Sequence, residues 1–355
     1  MPCLDLKTVL SPCTVAAFLD EYFGRDFLHL PGSPEKFSAL LSRSTIDAML
    51  ADPDLAARAH PLNGANAASG IVMEGVEEIH EPIALLSQDL ERTLEAPVRV
   101  NLSAQSTAIP VRRLEQDEII LQIAGPSDCK IFAGPNPNAA ELADQSPSWQ
   151  GLLRNGDALY LPRGWSFEAA AGAERSVQLN FAIRNPTGAD LMNWISGKIN
   201  QHEAFRKDLP RFADPATRAD YVTALRRVLA RIFREPGLLE RYRRETNLHA
   251  PARSASDLRW PADPSDTHLI AILTPRPLRI KRADADTILL VSMGKRLAFP
   301  QDAAPLLHYL CDRAPVSLSE FYRSFAGEFD REELSELLAA LGNGGIIGLR
   351  EPDSI

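Results

Sequence analysis

The chain has 355 residues, of which 45% are hydrophobic, and a formal net charge of −9. The length suits roughly two or three domains with ordinary cores, and the acidic balance argues against sequence-independent nucleic-acid binding. No apolar run approaches the roughly 18 residues of a membrane span, and no basic segment with a following apolar run marks a signal peptide. We therefore expect a cytoplasmic protein without membrane or nucleic-acid partners.

The first 95 residues are expected to be mainly helical. Apolar residues at helical spacing predict helices at 14–24, 34–42, 44–51 and 81–94. A short strand is predicted at 27–30, whereas 53–79 is rich in Ala, Asn and Gly and is expected to be irregular.

The pattern changes near residue 97, where short apolar strands separated by Gly and Pro turns begin. Strands are predicted at 98–102, 118–123, 130–132, 158–161 and 177–183. Short strands in this arrangement indicate a sandwich or barrel rather than βαβ units.

A helical segment follows from 186 to 250. Its clearest helix, 217–234, carries one apolar stripe made of Tyr221, Val222, Leu225, Val228, Leu229, Ile232 and Phe233. A stripe this wide must be buried against something. The partner is either the rest of the chain or a second copy in a homodimer.

The rest of the chain divides into a linker candidate at 251–266 and a compact unit at 267–355. The unit combines a strand pair, a final strand and helices near 303–312, 317–325 and 331–341, an order typical of a winged helix. Its third helical segment, 330–336, has four acidic residues against one basic, which argues against DNA binding. Peptide binding by strand addition and packing on a partner subunit both remain open.

Cysteine usage points to a reducing compartment. The four cysteines are scattered without a CxxC pair, at Cys3, Cys13, Cys129 and Cys311. This pattern is neither a disulfide framework nor a zinc-ligand set. Cys129 has no histidine near it in sequence, so we expect a buried structural thiol rather than a reactive one.

Three separated stretches together resemble the JmjC-type, cupin-like family of ribosomal oxygenases. They are Phe18-Leu19-Asp20-Glu21-Tyr22-Phe23 with Leu28-His29-Leu30-Pro31-Gly32, then Ile119-Ile120-Leu121-Gln122-Ile123-Ala124-Gly125, then the hairpin at 156–165 with Ser176-Val177-Gln178-Leu179. The resemblance implies an α+β fold with a double-stranded β-helix (cupin, jelly-roll) core and helical N-terminal elements at 1–185. It also implies a helical dimerisation domain at 186–250 and, after the linker, a winged-helix-like domain at 267–355.

Enzymes of that family are similar to Fe(II)/2-oxoglutarate hydroxylases, in which an HxD pair and a later histidine hold iron. Counting back from Gln122 puts the HxD positions on Arg112 and Leu114, and the hairpin puts the later histidine on Phe167. The lysine position that contacts 2-oxoglutarate falls on Ser127. The resemblance therefore implies that the metal-ligand triad is not retained and that no cofactor is needed. Phe167 is expected to fill the third-ligand position and to pack against Leu114.

A relocated metal site is the alternative to a lost one. A bulge in the strand could turn Glu115, Asp117 or Glu118 inward. His80 is the best spare histidine, because none of the seven histidines lies between 97 and 183.

An arginine inside a barrel needs an anionic partner. For Arg112 the partner is either an internal carboxylate, such as Glu115, Asp117 or Glu168, or the carboxylate of a ligand. The candidate anion-binding pocket comprises Arg112, Arg113, Glu115, Asp117, Asn101, Ser127 and Gln178.

Two polar residues of the hairpin have simpler expectations. Asp157 is expected to shape the turn by side-chain hydrogen bonds to the backbone. Arg163, which precedes Gly164, is expected to be solvated or paired locally.

Taken together, the patterns favour a metal-independent, non-catalytic protein that binds a peptide or protein partner and forms a homodimer. An alternative is an active hydroxylase of a protein or peptide side chain, with relocated ligands for Fe(II) and with 2-oxoglutarate as co-substrate. A third possibility is a cupin that performs metal-free chemistry on a small carboxylate.

Overall fold

The computed structural model describes residues 4–52, 55, 58–61, 70–134, 146–172, 174–249, 264–292 and 295–350. The chain divides into two compact units, Met1–Asn185 with Ala252–Ile355, and Pro186–Pro251. Among the described residues, no helix has the length and apolar character needed to cross a membrane. The predicted linker at 251–266 falls almost entirely outside these residues, and the domain boundaries stay predictions.

Helices and turns open the first unit. They are α1 (Leu6–Leu10), α2 (Val15–Ala17) with a following π-helical turn (Phe18–Tyr22), α3 (Arg43–Ala51), a 3-10 turn (Val76–Glu78) and α4 (Glu81–Leu94). The helix predicted at 81–94 is confirmed. The helix predicted at 34–42 is wrong, because the segment forms successive three-residue turns, such as Lys36 N donating to Ser33 O at 2.9 Å. These turns bury Phe37 and Leu40 without a helix.

The strands of the first unit's N-terminal part build two antiparallel sheets. They are β1 (Leu28–Leu30), β2 (Ala59–Pro61), β3 (Gly70–Glu74), β4 (Val98–Gln105), β5 (Ala108–Arg113), β6 (Asp117–Ala124), β7 (Ser127–Phe132), β8 (Trp149–Leu153), β9 (Ala158–Leu161), β10 (Ser166–Ala171) and β11 (Ser176–Ile183). The larger sheet has the order β1-β9-β6-β11-β4-β3-β2 and the smaller one β5-β10-β7-β8. The sequence patterns predicted β1, β4, β6, β7, β9 and β11 but not β2, β3, β5, β8 or β10. The expectation that 53–79 is irregular is wrong where β2 and β3 pair with each other.

The two faces of the larger sheet bury different residues. Successive side chains of a strand point to opposite faces. In β6, Ile119 and Leu121 pack in the core that includes the N-terminal helices. Ile120 packs instead in a cluster shared with Ile131 and Phe167 of the smaller sheet. The space between the two sheets is therefore the interior of a barrel-like core.

The second unit is helical. Its helices are α5 (Gly188–Ile199), α6 (Glu203–Arg206), α7 (Pro215–Phe233) and α8 (Leu238–His249). Asp214 caps α7 by accepting hydrogen bonds from Ala216 N and Thr217 N. The helix predicted at 217–234 is confirmed, but its unit buries only a small core.

The C-terminal part of the first unit has its own core. Its elements are β12 (Leu269–Ile272), β13 (Arg279–Arg282), β14 (Thr287–Ser292), β15 (Lys295–Pro300), a 3-10 turn (Gln301–Ala303), α9 (Ala304–Arg313), β16 (Val316–Ser317), α10 (Leu318–Phe325), α11 (Arg331–Asn343) and β17 (Ile347–Arg350). The sheets have the orders β16-β12-β17 and β13-β14-β15. The three predicted helices are present, whereas β12, β15 and β16 were not predicted.

Candidate functional site

Two segments that lie far apart in sequence, one with Arg112 and Leu114 and the other with Phe167, meet at one end of the barrel. Phe167 on β10 is the register partner of Arg112 on β5, and the Arg112 guanidinium lies 5.8 Å from the centroid of the Phe167 ring. Leu114 N donates to Trp165 O at 2.8 Å, which joins the end of β5 to the start of β10. The positions to which the family resemblance assigns metal ligands are therefore neighbours in space, as a triad of ligands must be.

The barrel interior at this end is filled by apolar side chains. Leu114 is 1% and Phe167 3% exposed. They share one buried cluster, which comprises Leu114, Ile120, Cys129, Ile131, Leu153, Leu159, Leu161, Phe167 and Ala169. This packing agrees with the expectation that Phe167 fills the interior beside Leu114.

Arg112 is held by an internal carboxylate. Its guanidinium donates to both carboxylate oxygens of Glu118, at 2.8 and 2.6 Å. Burial alone would lower the pKa of Arg112, but the hydrogen bonds and the charge of Glu118 raise it above the ordinary value, so the group stays charged. Glu118 faces the interior because it lies two residues before Ile120 on the same strand.

The internal partner differs from the three carboxylates considered from the sequence. Glu115 is exposed, and Glu168 lies 3.5 Å from Lys130 instead. Asp117 faces the opposite side of β6, as described below. Because side chains alternate along β6, Glu118 points inward and Asp117 outward. The pairing of β6 with β9 is regular at Glu118, so no bulge is needed to turn this side chain inward.

We expect the substitution Arg112→Met to lower the free energy of unfolding by about 2–3 kcal/mol. Removing one member of a buried pair leaves the other charge without compensation, which costs about 3–5 kcal/mol. The expected loss of stability is smaller than for a fully buried pair because the Arg112 side chain is 30% exposed and solvent screens its charge. The double variant Arg112→Met, Glu118→Leu should recover most of the loss in urea denaturation. A double variant as unstable as the single one would show that the pair is not the cause.

Asp117 is a structural carboxylate outside the barrel interior. It accepts hydrogen bonds from Tyr160 OH at 2.8 Å, Arg163 N at 2.8 Å and Asn185 Nδ2 at 2.7 Å. Burial and the Asp117 charge raise the pKa of Tyr160, which stays a neutral donor. The prediction that Asp117 lines an anion pocket is wrong, because Asp117 shares the outward face of β6 with Ile119.

Deeper in the barrel lies a buried polar cluster. Gln178 Nε2 donates to Gln122 Oε1 at 2.9 Å, and Gln122 Nε2 donates to Ser176 Oγ at 2.9 Å. Gln105 Nε2 donates to Ser127 Oγ at 3.3 Å. Ser127 is fully buried and, as a hydroxyl, offers no positive charge to a carboxylate co-substrate.

The predicted pocket residues are thus distributed over separate places. Ser127 and Gln178 belong to the deep polar cluster, and Asn101 lies on β4 opposite Asn180. Arg113 and Glu115 are instead at the barrel mouth.

The barrel mouth holds an open concavity of about 640 Å³. It is lined by Arg113, Leu114, Glu115, Gly134, Arg163, Gly164 and Trp165. The sequence patterns missed Arg163 and Trp165 as site residues. Their position follows from strand pairing, because the tip of the hairpin that leads into β10 runs alongside β5, the strand with which β10 pairs.

Two expectations about the hairpin and its surroundings are confirmed. Asp157 accepts hydrogen bonds from Arg154 N at 2.9 Å and Gly32 N at 3.0 Å, and thereby shapes the turn. Cys129 is fully buried, and burial raises the pKa of its thiol to about 12. It is not a nucleophile at neutral pH.

The side chains at the assigned ligand positions do not fit an iron ion. A guanidinium, an aliphatic chain and a phenyl ring offer no lone pair to a metal. Over the part of the chain that the structure describes, no three His, Cys, Asp or Glu side chains are grouped so that they could hold a metal ion. His80, the spare histidine, is half-buried at the start of α4, and burial lowers its pKa.

The comparisons with known proteins agree with this architecture. Residues 115–191 match the family model of the JmjC domain. A structure of YcfD, a ribosomal oxygenase from Escherichia coli, superposes with a TM-score of 0.57 at 16% identity, covering 96% of this chain and 98% of that one. The same enzyme in complex with cobalt and 2-oxoglutarate gives a TM-score of 0.56 at 15% identity, over 96% and 99% of the two chains. No curated protein sequence matches significantly.

The matched segment and the shared fold confirm the resemblance to JmjC-type, cupin-like proteins that the sequence motifs indicated. The segment that matches the JmjC domain lies within a fold that is similar to that of the ribosomal oxygenase YcfD over nearly the whole length of both chains. At this level of identity the likeness is one of fold.

Proposed function

We propose that this chain is a non-catalytic JmjC-like protein that binds a peptide or protein partner at its barrel mouth. The observation that carries the proposal is the convergence of Arg112, Leu114 and Phe167 at the place assigned to the metal. Arg112 and Leu114 are neighbours in sequence, so the informative observation is that Phe167, from a much later strand, lies beside both of them. Their meeting in a set without donor atoms supports the loss of the iron site.

The proposal extends to the co-substrate. An E. coli relative has been crystallised with 2-oxoglutarate, a dicarboxylate that needs a cationic partner in its pocket. Here the corresponding lysine position carries the buried Ser127, and Arg112 is neutralised by Glu118. Neither residue offers an unpaired positive charge to a dianion, which supports the concavity at the mouth as the place for a partner.

The experiment that tests this proposal measures metal and turnover together. The purified chain, incubated anaerobically with Fe(II) and then desalted, should retain no stoichiometric iron in elemental analysis. It should also release no succinate from 2-oxoglutarate above a buffer blank, with the E. coli ribosomal oxygenase as positive control. Stoichiometric iron or substrate-free decarboxylation would instead support an active hydroxylase with relocated ligands.

The proposed assembly is a homodimer through the helical unit. Large apolar side chains that are exposed lie in this unit, among them Met192, Leu209, Phe212, Val222, Phe233 and Leu239. Of the apolar stripe on α7, Ile232 alone is buried within the described chain. The rest of the stripe is half-buried or, at Val222 and Phe233, exposed, and this incomplete cover supports a second copy as its partner.

Light scattering should report a dimer for the chain as it stands. The variant Leu209→Ser with Phe212→Ser removes exposed apolar surface (65% and 95% exposed) and should shift the mass towards a monomer with unchanged circular dichroism. A monomeric wild-type chain at micromolar concentration would contradict the proposed assembly.

We also propose that the C-terminal part is a winged helix used for protein contacts. In support, α9, β16, α10, α11 and β17 follow the winged-helix order, and β12 completes the three-stranded sheet. The first turn of α11 carries Glu332 and Glu333, whose charge would be repelled by a phosphate backbone. The cytoplasmic location stays a prediction.

A further inference from the structure

The mouth concavity presents two arginines whose side chains have no partner among the described residues. Arg113 and Arg163 both line it and are exposed. Neither side chain makes an ion pair or a hydrogen bond with any other residue in the described ranges. Arg112, by contrast, is fully engaged by Glu118. The free positive charge of the barrel end is therefore at the mouth rather than in the interior.

The backbone beneath the two arginines is held firmly. Gly164 N donates to Leu114 O and Leu114 N donates to Trp165 O, each at 2.8 Å. Arg163 N donates to the buried carboxylate of Asp117, also at 2.8 Å. Because these hydrogen bonds hold the backbone, only the two arginine side chains must become ordered when a ligand binds, which lowers the entropic cost of binding.

The two backbone hydrogen bonds that join Leu114 to Gly164 and Trp165 also bring the two arginines close together. Arg113 directly precedes Leu114, and Arg163 directly precedes Gly164. Gly164 has a φ of +89°, and a Cβ at this position would lie 3.9 Å from Nη2 of Arg113. The Arg113 guanidinium thus lies over Gly164, next to the residue that carries the second guanidinium.

An aromatic surface adjoins the two charges. Trp165 lines the concavity and is half-buried. Its ring packs against Phe27 at 5.7 Å, and Phe27 contacts Trp149 at 6.3 Å between centroids. The indole is held by these tilted ring contacts, and the part of it that lines the concavity is apolar surface beside the two charges.

The charge of the lining selects the kind of anion. Among the described residues that line the concavity, two arginines and Glu115 sum to a formal charge of +1, on a chain whose net charge is −9. A single positive charge balances a carboxylate, whereas a phosphate dianion would leave the site overcharged beside Glu115. Arginine forks also match the planar, two-oxygen geometry of a carboxylate.

We propose that the barrel mouth binds the side-chain carboxylate of an acidic residue in a peptide segment, between Arg113 and Arg163 and against Trp165. The inference rests on the proposed peptide-binding function and names the chemistry that the partner must present. Glu115 then disfavours segments with several adjacent acidic groups.

The probe for this inference is N-acetyl-glutamate amide, with N-acetyl-glutamine amide as the neutral control and inorganic phosphate as the other anion. The indole N–H resonances of the four tryptophans are followed by NMR in the full chain, and Trp165→Phe identifies the Trp165 signal. The glutamate probe should shift that signal saturably, whereas the glutamine probe should not.

Two substitutions and a matched control locate the binding. Arg113→Gln and Arg163→Gln should each weaken the glutamate probe about threefold to tenfold, since each removes one charged hydrogen-bond donor from a solvent-accessible site. Arg296→Gln removes an exposed arginine of the C-terminal part and should leave the affinity unchanged.

The outcomes separate this inference from the proposed function. No shift at Trp165, an equal shift with the glutamine probe, or binding unchanged in both arginine variants would overturn the carboxylate site. Tighter binding of phosphate than of the glutamate probe would overturn the choice of anion. The iron and turnover measurement is independent of all these results, so the non-catalytic assignment stands or falls separately.

Discussion

The triple variant Arg112→His, Leu114→Asp, Phe167→His is expected to bind one divalent transition-metal ion per chain, whereas the unmodified chain retains none under the same conditions. The three positions face one point of the barrel, as shown by the register of Phe167 with Arg112 and by the shared cluster of Phe167 and Leu114. Two imidazoles and a carboxylate on one face constitute a complete ligand set for Fe(II) or Co(II).

The metal should also stabilise the triple variant. Without metal, the variant places polar groups in an apolar cluster and leaves Glu118 without Arg112, so its melting temperature should fall. Metal that binds only the folded state adds about 2.7 kcal/mol at a concentration about 100 times the dissociation constant. The substitutions should therefore destabilise the fold, whereas added metal should stabilise the substituted chain.

The control is the double variant Arg112→His, Leu114→Asp, which keeps Phe167. With one ligand fewer it should bind Co(II) roughly tenfold or more weakly in calorimetric titration. Equal affinity of the double and triple variants would show that position 167 does not face the metal, and the ligand assignment would then be wrong.

The substitution Phe167→Ala is expected to lower the free energy of unfolding by about 3–5 kcal/mol. The ring is 3% exposed and touches a cluster to which both sheets contribute. Removing it leaves a cavity that rigid strands cannot close, and the loss adds to the transfer free energy of the ring. Urea denaturation followed by far-ultraviolet circular dichroism measures the change.

Phe167→Leu is the matched control for this substitution. A leucine keeps most of the apolar volume, so the expected loss is about 1 kcal/mol. A loss below about 1 kcal/mol for Phe167→Ala itself would mean that the ring does not fill the interior. The interpretation of position 167 as a plugged ligand site would then need to be abandoned.

Strand prediction succeeded where burial imposes a pattern and failed where it does not. The apolar run of β6 and the alternation of β4 are strong local signals, and both strands are present. The strands β5, β8 and β10 belong to the smaller sheet and mix apolar residues with proline, glycine, alanine or charged residues, so none of them has a clear strand pattern. The β10 sequence Ser166–Ala171, for example, contains three alanines and a glutamate, so its strand character comes from pairing with neighbours rather than from propensity.

Motif spacing and residue type are properties of the linear chain, so the cupin-like fold and the lack of histidines among the core strands could be predicted from them. That Glu118, rather than Glu115 or Asp117, holds Arg112 is visible only in the folded chain. Side-chain direction alternates along a strand, and which face is the interior depends on the second sheet that packs there. The meeting of Arg113 with Arg163 was likewise decided by the pairing of residues about fifty positions apart, which no local pattern encodes.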